Sequence, residues 1–224
     1  MEELLTVVIP CKNEGINIIN CVNCLLDQSV KFSIVIADAS DYSQPELKYL
    51  TRKENRIKVV RGGTPSIGRN RGFDHVKTPY VLFLDADMVI KDNSLIERCL
   101  SYAKEYDLIS CNYACVDKKY DFAWSVFAVI QKILRKPFVM GGFQLWKCET
   151  FTELGKFDES VSVGEDWLLS KKLSKNRVKI LKDKVHTSSR RFEKKGLLFM
   201  IFFILKAYVN SKNKNWFKTS HNYW

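Results

Sequence analysis

Short apolar runs and helical periodicities take turns along the first part of the chain. LLTVVIP (4–10) has the character of a buried strand, and INIINCVNCLLDQ (16–28) places apolar residues at helical spacing. FSIVIAD (32–38) reads as a second strand. Beyond it, Ser43 and Glu46 stand in the S-x-x-E spacing of a capping box, with Pro45 in the first turn of the helix they announce. RIKVV (56–60) is a third strand, Ser66 is placed to cap a helix running to about Val76, YVLFLD (80–85) is a fourth strand and VKILKDKVH (178–186) a further one. Strands alternating with helices predict an α/β fold around a mostly parallel sheet covered by helices on both faces. Such sheets bind ligands outside the carboxyl ends of their strands, and Pro10, Asp38 and Asp85 all fall there.

Length and charge divide this picture in two. The 224 residues, 46% of them hydrophobic, suit a single domain over 1–190 followed by a helical appendage over 191–224. The net charge of +11 is uneven, because residues 182–224 hold ten Lys/Arg against two Asp/Glu. The basic signal therefore belongs to the tail, where an anionic membrane surface is as good a partner as nucleic acid. No signature of a nucleic-acid-binding module is present, so a nucleic-acid partner is not expected. Seven cysteines, an odd number, and no apparent secretion signal predict a reducing compartment. The expectation is a cytoplasmic protein, with peripheral attachment at the inner membrane surface as the alternative that the tail leaves open. Cys21 and Cys24 form a C-x-x-C and Cys111 and Cys115 a C-x-x-x-C, but helical spacing beside Ile18 and Leu25 favours core thiols over zinc for the first pair.

The candidate chemistry lies in FLDADM (83–88), where two carboxylates end a run that otherwise belongs in a protein interior. With Asp38 they bring three carboxylates from two separate strands to one edge, which raises their pKa values unless a cation or hydrogen-bond donors sit among them. A hard divalent ion, Mg²⁺ or Mn²⁺, completed by substrate phosphate oxygens suits this set. The competing reading of the D-x-D is a solvated turn. GGTPSIGRNRG (62–72) has neither dinucleotide nor P-loop spacing, and its Arg69 and Arg71 also read as solvated helix residues.

VVIPCKNE (7–14), IADASD (36–41), SIGRNRG (66–72), FLDADM, GGFQLWKCETFTELGKFDES (141–160) and GEDW (164–167) occur in an order that resembles family 2 glycosyltransferases of the GT-A fold, over roughly residues 4–186. The resemblance implies an inverting enzyme that moves a sugar from a nucleotide-diphosphate sugar, UDP favoured, to a hydroxyl of a glycan or lipid-linked acceptor. It places Asp38 on the base, Pro10, Asn13 and Glu14 along the nucleoside, and Arg69 and Asn70 facing the diphosphate. Asp85 falls near ribose and metal, and Asp87 is a metal ligand with His186 as a further one. Asp166 becomes the general base, Glu165 a supporting acceptor contact, and Gly142 and Trp167 border the acceptor; the competing reading of Glu165 and Asp166 is an acidic helix N-terminus that complements the dipole. Arg190 and Arg191 either neutralise the leaving phosphate or begin the basic tail. FLDADMV also fits the D-x-D-x-[TV] pattern of haloacid-dehalogenase-like phosphatases, but three strand–helix units precede it where that family has none, and VVIPCKNE and GEDW have no role there.

Two apolar segments complete the pattern. FAWSVFAVIQKIL (122–134) puts Phe122, Val126, Ile130, Ile133 and Leu134 on one helical stripe with Lys132, Arg135 and Lys136 clustered at its end, a segment that bears on the acceptor. LLFMIFFIL (197–205) spans about 14 Å as a helix against roughly 30 Å of bilayer core, so it is read either as an interfacial anchor or as a helix packed on the domain.

Overall fold

The computed structural model describes residues 3–219 and 221. Chain order is β1 (Leu5–Cys11), α1 (Ile16–Leu26), β2 (Ser33–Asp38), α2 (Pro45–Lys53), β3 (Ile57–Arg61), α3 (Pro65–Phe73), β4 (Tyr80–Leu84), α4 (Leu95–Tyr102), β5 (Leu108–Cys115), α5 (Asp121–Ile133), β6 (Phe143–Lys147), α6 (Cys148–Glu153), α7 (Glu165–Ser170), β7 (Val178–Thr187), α8 (Arg190–Lys195), α9 (Leu197–Val209) and α10 (Lys214–Phe217). The strands form one sheet in the order β3-β2-β1-β4-β6-β5-β7. β6 runs antiparallel to both its neighbours and the other pairs are parallel, which makes the α/β sheet mostly parallel, as the alternation predicts.

Alternation along each strand fills two cores. Val7 and Ile9 of β1 join Ile18, Cys21 and Leu25 of α1 on one face, while Val8 turns to the other with Phe83, Trp146, Phe151 and Leu169. Helix α3 lies close against the second face because its glycines permit it: a Cβ on Gly72 would stand 2.3 Å from Val8 Cγ1. Gly72 of GGTPSIGRNRG thus serves helix–sheet approach.

Two local expectations are corrected, and the side that α5 turns inward is settled. α2 is preceded by Gln44, and no side chain caps it, so Ser43 and Glu46 do not form the box their spacing suggested. Ser66 lies buried inside α3, whose first residue is Pro65 and which ends at Phe73. The stripe on α5 faces outward: Phe122 is 79% and Ile133 77% exposed, whereas Phe127 and Gln131 are buried. Both faces of that helix are apolar, and the inner one is chosen by Trp124 and Phe127, whose rings meet Tyr113, Phe138 and Phe192.

Helices α9 and α10 fold back on the domain. Ala207 and Phe217 share a cluster with Val161, Val163 and Trp167, and Ser162 donates its backbone N–H to the Phe217 carbonyl at 2.7 Å. Among the described residues no helix is long and apolar enough to cross a membrane.

Candidate active site

At the carboxyl edge of the sheet, β4 ends in Leu84 and the chain turns through Asp85-Ala86-Asp87-Met88, closed by Met88 N–H to the Asp85 carbonyl at 3.1 Å. Ala86 and Met88 point into the core, and Asp85 and Asp87 line the cleft half-buried. Asp85 is held from two sides. Its N–H donates to the Gly142 carbonyl at 3.1 Å, and its Oδ1 accepts from Arg69 Nη2 at 2.6 Å.

Arg69 comes from α3 and is the hub of the site. Its side chain is only 4% exposed, and its other terminal nitrogen, Nη1, pairs with Glu165 at the start of α7. Burial works against its charge, yet Asp85, Glu165 and Asp166 together raise its pKa. The guanidinium also lies 5.5 Å from the Phe157 ring centroid. The arginine expected to face a diphosphate is therefore spent on clamping two acidic motifs together. Asn70 departs from its expected place for a similar reason: its amide donates to the Phe157 carbonyl and to Glu159 and accepts from Phe157 N–H, which ties down the 157–159 turn.

Asp166 sits beside this bridge at the head of α7. Its Oδ2 accepts from Gly141 N–H at 2.6 Å and its Oδ1 from Trp167 N–H at 2.7 Å. Burial first, and then Glu165, push its pKa up to about 7, with Arg69 and the two amides opposing. Gly141 is required there, since a Cβ would lie 2.9 Å from Arg69 Nη2 and 3.2 Å from Asp166 Oδ2. The Met140–Phe143 loop is fixed from below by Tyr113, whose hydroxyl accepts from Phe143 N–H at 2.8 Å and donates to the Met140 carbonyl at 3.2 Å. Tyr113 was not foreseen. It lies in β5, 30 residues from Phe143, and nothing local in the sequence announces that contact.

The opposite wall is more open. Asp38 Oδ1 accepts from both the N–H and the hydroxyl of Ser40, at 3.0 and 2.6 Å. Asn13, at φ 54°, donates its N–H to Ser40 Oγ and its side-chain amide to Asp41, which joins the loops after β1 and β2. Pro10 pairs with Ala37 just before these loops. Glu14 accepts from both terminal nitrogens of Arg190, at 3.1 and 3.3 Å, and Arg190 also lies 3.8 Å from Asp87. Burial, followed by Asp85 and Glu14, raises Asp87 to about 6 against the pull of Arg191 and Arg190.

Three expected site residues lie elsewhere. Trp167 is buried among Phe138, Phe217 and Tyr208, so it supports α7 from behind rather than lining a cleft. Gly142 is buried against Met88 and Tyr113, and its contribution is the carbonyl that accepts from Asp85. His186 reaches the D-x-D segment through its backbone, which pairs with Val89 in both directions. Its imidazole feels burial, Lys91, Asp121 and Lys184, which leave its pKa lowered, and its Nδ1 is buried without a partner. Among the described residues no three His, Cys, Asp or Glu side chains converge to hold a metal. The donor set that remains, two hard carboxylates one residue apart with Glu14 nearby, fits a divalent cation that takes its other ligands from a diphosphate and water.

Residues 6–158 match the family model described as glycosyl transferase family 2. Glycosyltransferase GlyG of Streptococcus pneumoniae is 26% identical, over 77% of this chain and 68% of its own length. Among solved structures, a TarS segment of Staphylococcus aureus in complex with UDP-GlcNAc is similar with a TM-score of 0.64 at 19% identity, over 83% of this chain and 58% of that one. Mannosyltransferase PcManGT of Pyrobaculum calidifontis, in complex with GDP-Man and Mn²⁺, gives 0.67 at 17% identity, over 92% and 65%. These likenesses establish the GT-A fold, and this chain spans only 40% of a longer TarS chain.

Proposed function

We propose, for a chain that belongs to glycosyl transferase family 2 and is thus a glycosyltransferase, a single inverting displacement on a nucleotide-diphosphate sugar. The observation that carries this reading is Asp166: a carboxylate pushed to about pH 7, fixed by two amides, and coupled through Glu165 and Arg69 to Asp85 of the D-x-D. A general base works best with a pKa near the operating pH. The acceptor hydroxyl loses its proton to Asp166 as its oxygen attacks the anomeric carbon, and the bond from that carbon to the diphosphate oxygen breaks on the opposite face.

The donor lies along the other wall. Asp38, held by Ser40, accepts from an N–H of the base, uracil favoured, and the Asn13–Glu14 loop borders the nucleoside. Asp87 and Asp85 hold Mg²⁺ or Mn²⁺, which when bound offsets the charge that develops on the leaving diphosphate. Arg190 stands over the same spot, 3.8 Å from Asp87, and adds a guanidinium suited to phosphate oxygens. Arg69, Asn70, Trp167 and Gly142 act one layer back and keep the donor and base walls in register. The acceptor is proposed as a glycan or a lipid-linked hydroxyl. The phosphatase reading fits poorly, because it needs Asp85 as a nucleophile and Arg69 holds that carboxylate at 2.6 Å.

The test is a panel of UDP- and GDP-sugars with Mn²⁺, following nucleoside diphosphate release and the product anomer by NMR. Metal-dependent release with inversion of configuration is expected. Release of inorganic phosphate, or retention of configuration, overturns the reading.

A further inference from the structure

Helices α5 and α9 each carry an apolar stripe that faces away from the protein. On α5, Phe122, Val126, Val129 and Ile133 stand at steps of four, three and four, which places them on one side of the helix. All four are exposed, at 79, 39, 54 and 77%. On α9, Leu198, Phe202, Leu205 and Val209 repeat the same steps of four, three and four and are 70, 60, 50 and 81% exposed. The inner sides of both helices are satisfied: Met200 and Ala207 of α9 are buried, as is Phe127 of α5. The two helices are neighbours, since Leu197, Phe199 and Met200 share one cluster with Tyr120, Ala123 and Trp124. Farther along, Phe138 and Phe203 share another with Trp167. Side chains of this size in regular outward register are more than the scattered exposed apolar residues of an ordinary surface.

The charges around the stripes say what covers them. Lys132, Arg135 and Lys136 close α5 and are exposed; Lys194 precedes α9, Lys206 lies in its last turn and Lys212 follows it, all exposed. From Lys194 to Lys218 there is no acidic residue. A second copy meeting this face through the same helices would bring lysines against lysines, which disfavours self-association. Apolar residues rimmed by cations match the other arrangement, in which side chains enter the acyl boundary and ammonium groups meet lipid phosphates. Thirteen residues per helix are enough to lie in an interface and too few to cross it.

We propose that α5 and α9 together form a docking face for an anionic lipid surface, in which the apolar run of the tail supplies one of the two stripes. The face adjoins the base wall: Tyr208 of α9 stacks on Trp167, the residue after Asp166. The surface needs no assumption about the reaction. The consequence, that the acceptor hydroxyl is presented from the membrane side, rests on the proposed glycosyl transfer.

The experiment is vesicle co-sedimentation of the full chain with phosphatidylcholine alone and with added phosphatidylglycerol, across a salt series. Binding is expected only with the anionic lipid, weakening as salt rises. Two charge-insertion pairs at exposed positions, Val126→Glu with Ile133→Glu and Phe202→Glu with Leu205→Glu, are each expected to weaken partitioning by roughly tenfold or more with unchanged circular dichroism and melting. Failure of the wild type to sediment at low salt overturns the proposal, as does loss confined to the α9 pair. Oligomers in light scattering that the α5 pair dissolves assign the face to a second copy and overturn it too. Nucleoside diphosphate binding, measured in parallel, is expected to stay unchanged in both pairs, so a failure of the lipid face is distinguishable from a failure of the functional reading.

Discussion

On one side of the cleft Arg69 lies buried between Asp85 and Glu165; on the other, Arg190, 55% exposed, reaches across solvent to Glu14 and Asp87. Both are arginines set against paired carboxylates, but they differ in what happens when the partner changes. The buried bridge is enclosed at Arg69 and Glu165, whose side chains are 4% and 7% exposed, and opens to the cleft only through Asp85. Its geometry, with Asp166 fixed beside it, is complete before any substrate arrives. The exposed bridge stands where a cation and a diphosphate are expected, so it has to open for them. On the proposed reading, the base wall is preformed and the donor wall exchanges its partners for ligand.

The sharpest way to break that contrast is to remove the buried cation. Arg69→Ala leaves the buried Glu165 without its cation and Asp85 without its clamp, and losing one partner of a buried pair costs on the order of 3–5 kcal/mol. Urea unfolding is expected to show that loss, together with loss of activity. Arg69→Lys is expected to rescue little, because an ammonium cannot span two carboxylates in a fixed fork. Near wild-type stability in Arg69→Ala would mean the bridge is not the clamp.

Asp166→Asn tests the same wall while leaving the Arg69 bridge in place. The amide keeps the size but cannot take the proton, and its NH₂ can no longer accept from one of the Gly141 and Trp167 N–H groups, so kcat is expected to fall by at least about 10²–10⁴-fold, with donor affinity by calorimetry unchanged. With Asp166 as the proposed base, the ionised carboxylate is the expected active form, and burial raises its pKa to about 7. kcat/KM is therefore expected to drop about tenfold per pH unit below that value and to level off above it. Flat activity from pH 5 to 8 would place the base elsewhere.

How far the sequence discloses all this depends on whether a contact is local. β1 to β4 are readable because strands covered on both faces show as unbroken apolar runs. β5, LISCNYAC, and β6, FQLWK, are not, since cysteine, asparagine and glutamine interrupt them, and no local signal places β6 antiparallel between β4 and β5. In the site, Asp85, Asp87 and Asp166 stand out as acidic motifs in apolar surroundings. The partner of Arg69 does not, because the choice between a diphosphate and Glu165 is made by residues 96 apart. On α5 periodicity identifies an amphipathic helix but not its inner side, because Trp124 and Phe127 compete with Phe122 and Val126 for the core.

On the exchangeable wall, Asp87→Ala removes the carboxylate that burial, Asp85 and Glu14 already make costly to ionise. The fold is expected to survive, and melting without ligand to be unchanged or slightly raised. The Mn²⁺-dependent part of UDP binding in calorimetry is expected to disappear, because a single remaining aspartate is a poor hold for a hard cation. Equal UDP affinity with and without Mn²⁺ in the wild type would remove the premise.

The smallest expected effect, and the one that separates the two arginines most directly, is Arg190→Ala. Its contacts with Glu14 and Asp87 are solvent-exposed, and such pairs contribute about 0–1 kcal/mol. Melting is therefore expected to move by no more than about 2–4 °C, against a far larger loss for Arg69→Ala. Binding should respond in opposite directions for two ligands. Mn²⁺ alone gains, or at least does not lose, because a cation that competes for Asp87 is gone. Mn²⁺ with a nucleoside diphosphate loses about tenfold, the order of one charge-assisted contact to phosphate, and the loss shrinks with added salt. If Arg190→Ala instead weakens both ligands alike and melts many degrees lower, Arg190 is a structural clamp like Arg69, and the cleft has two rigid walls.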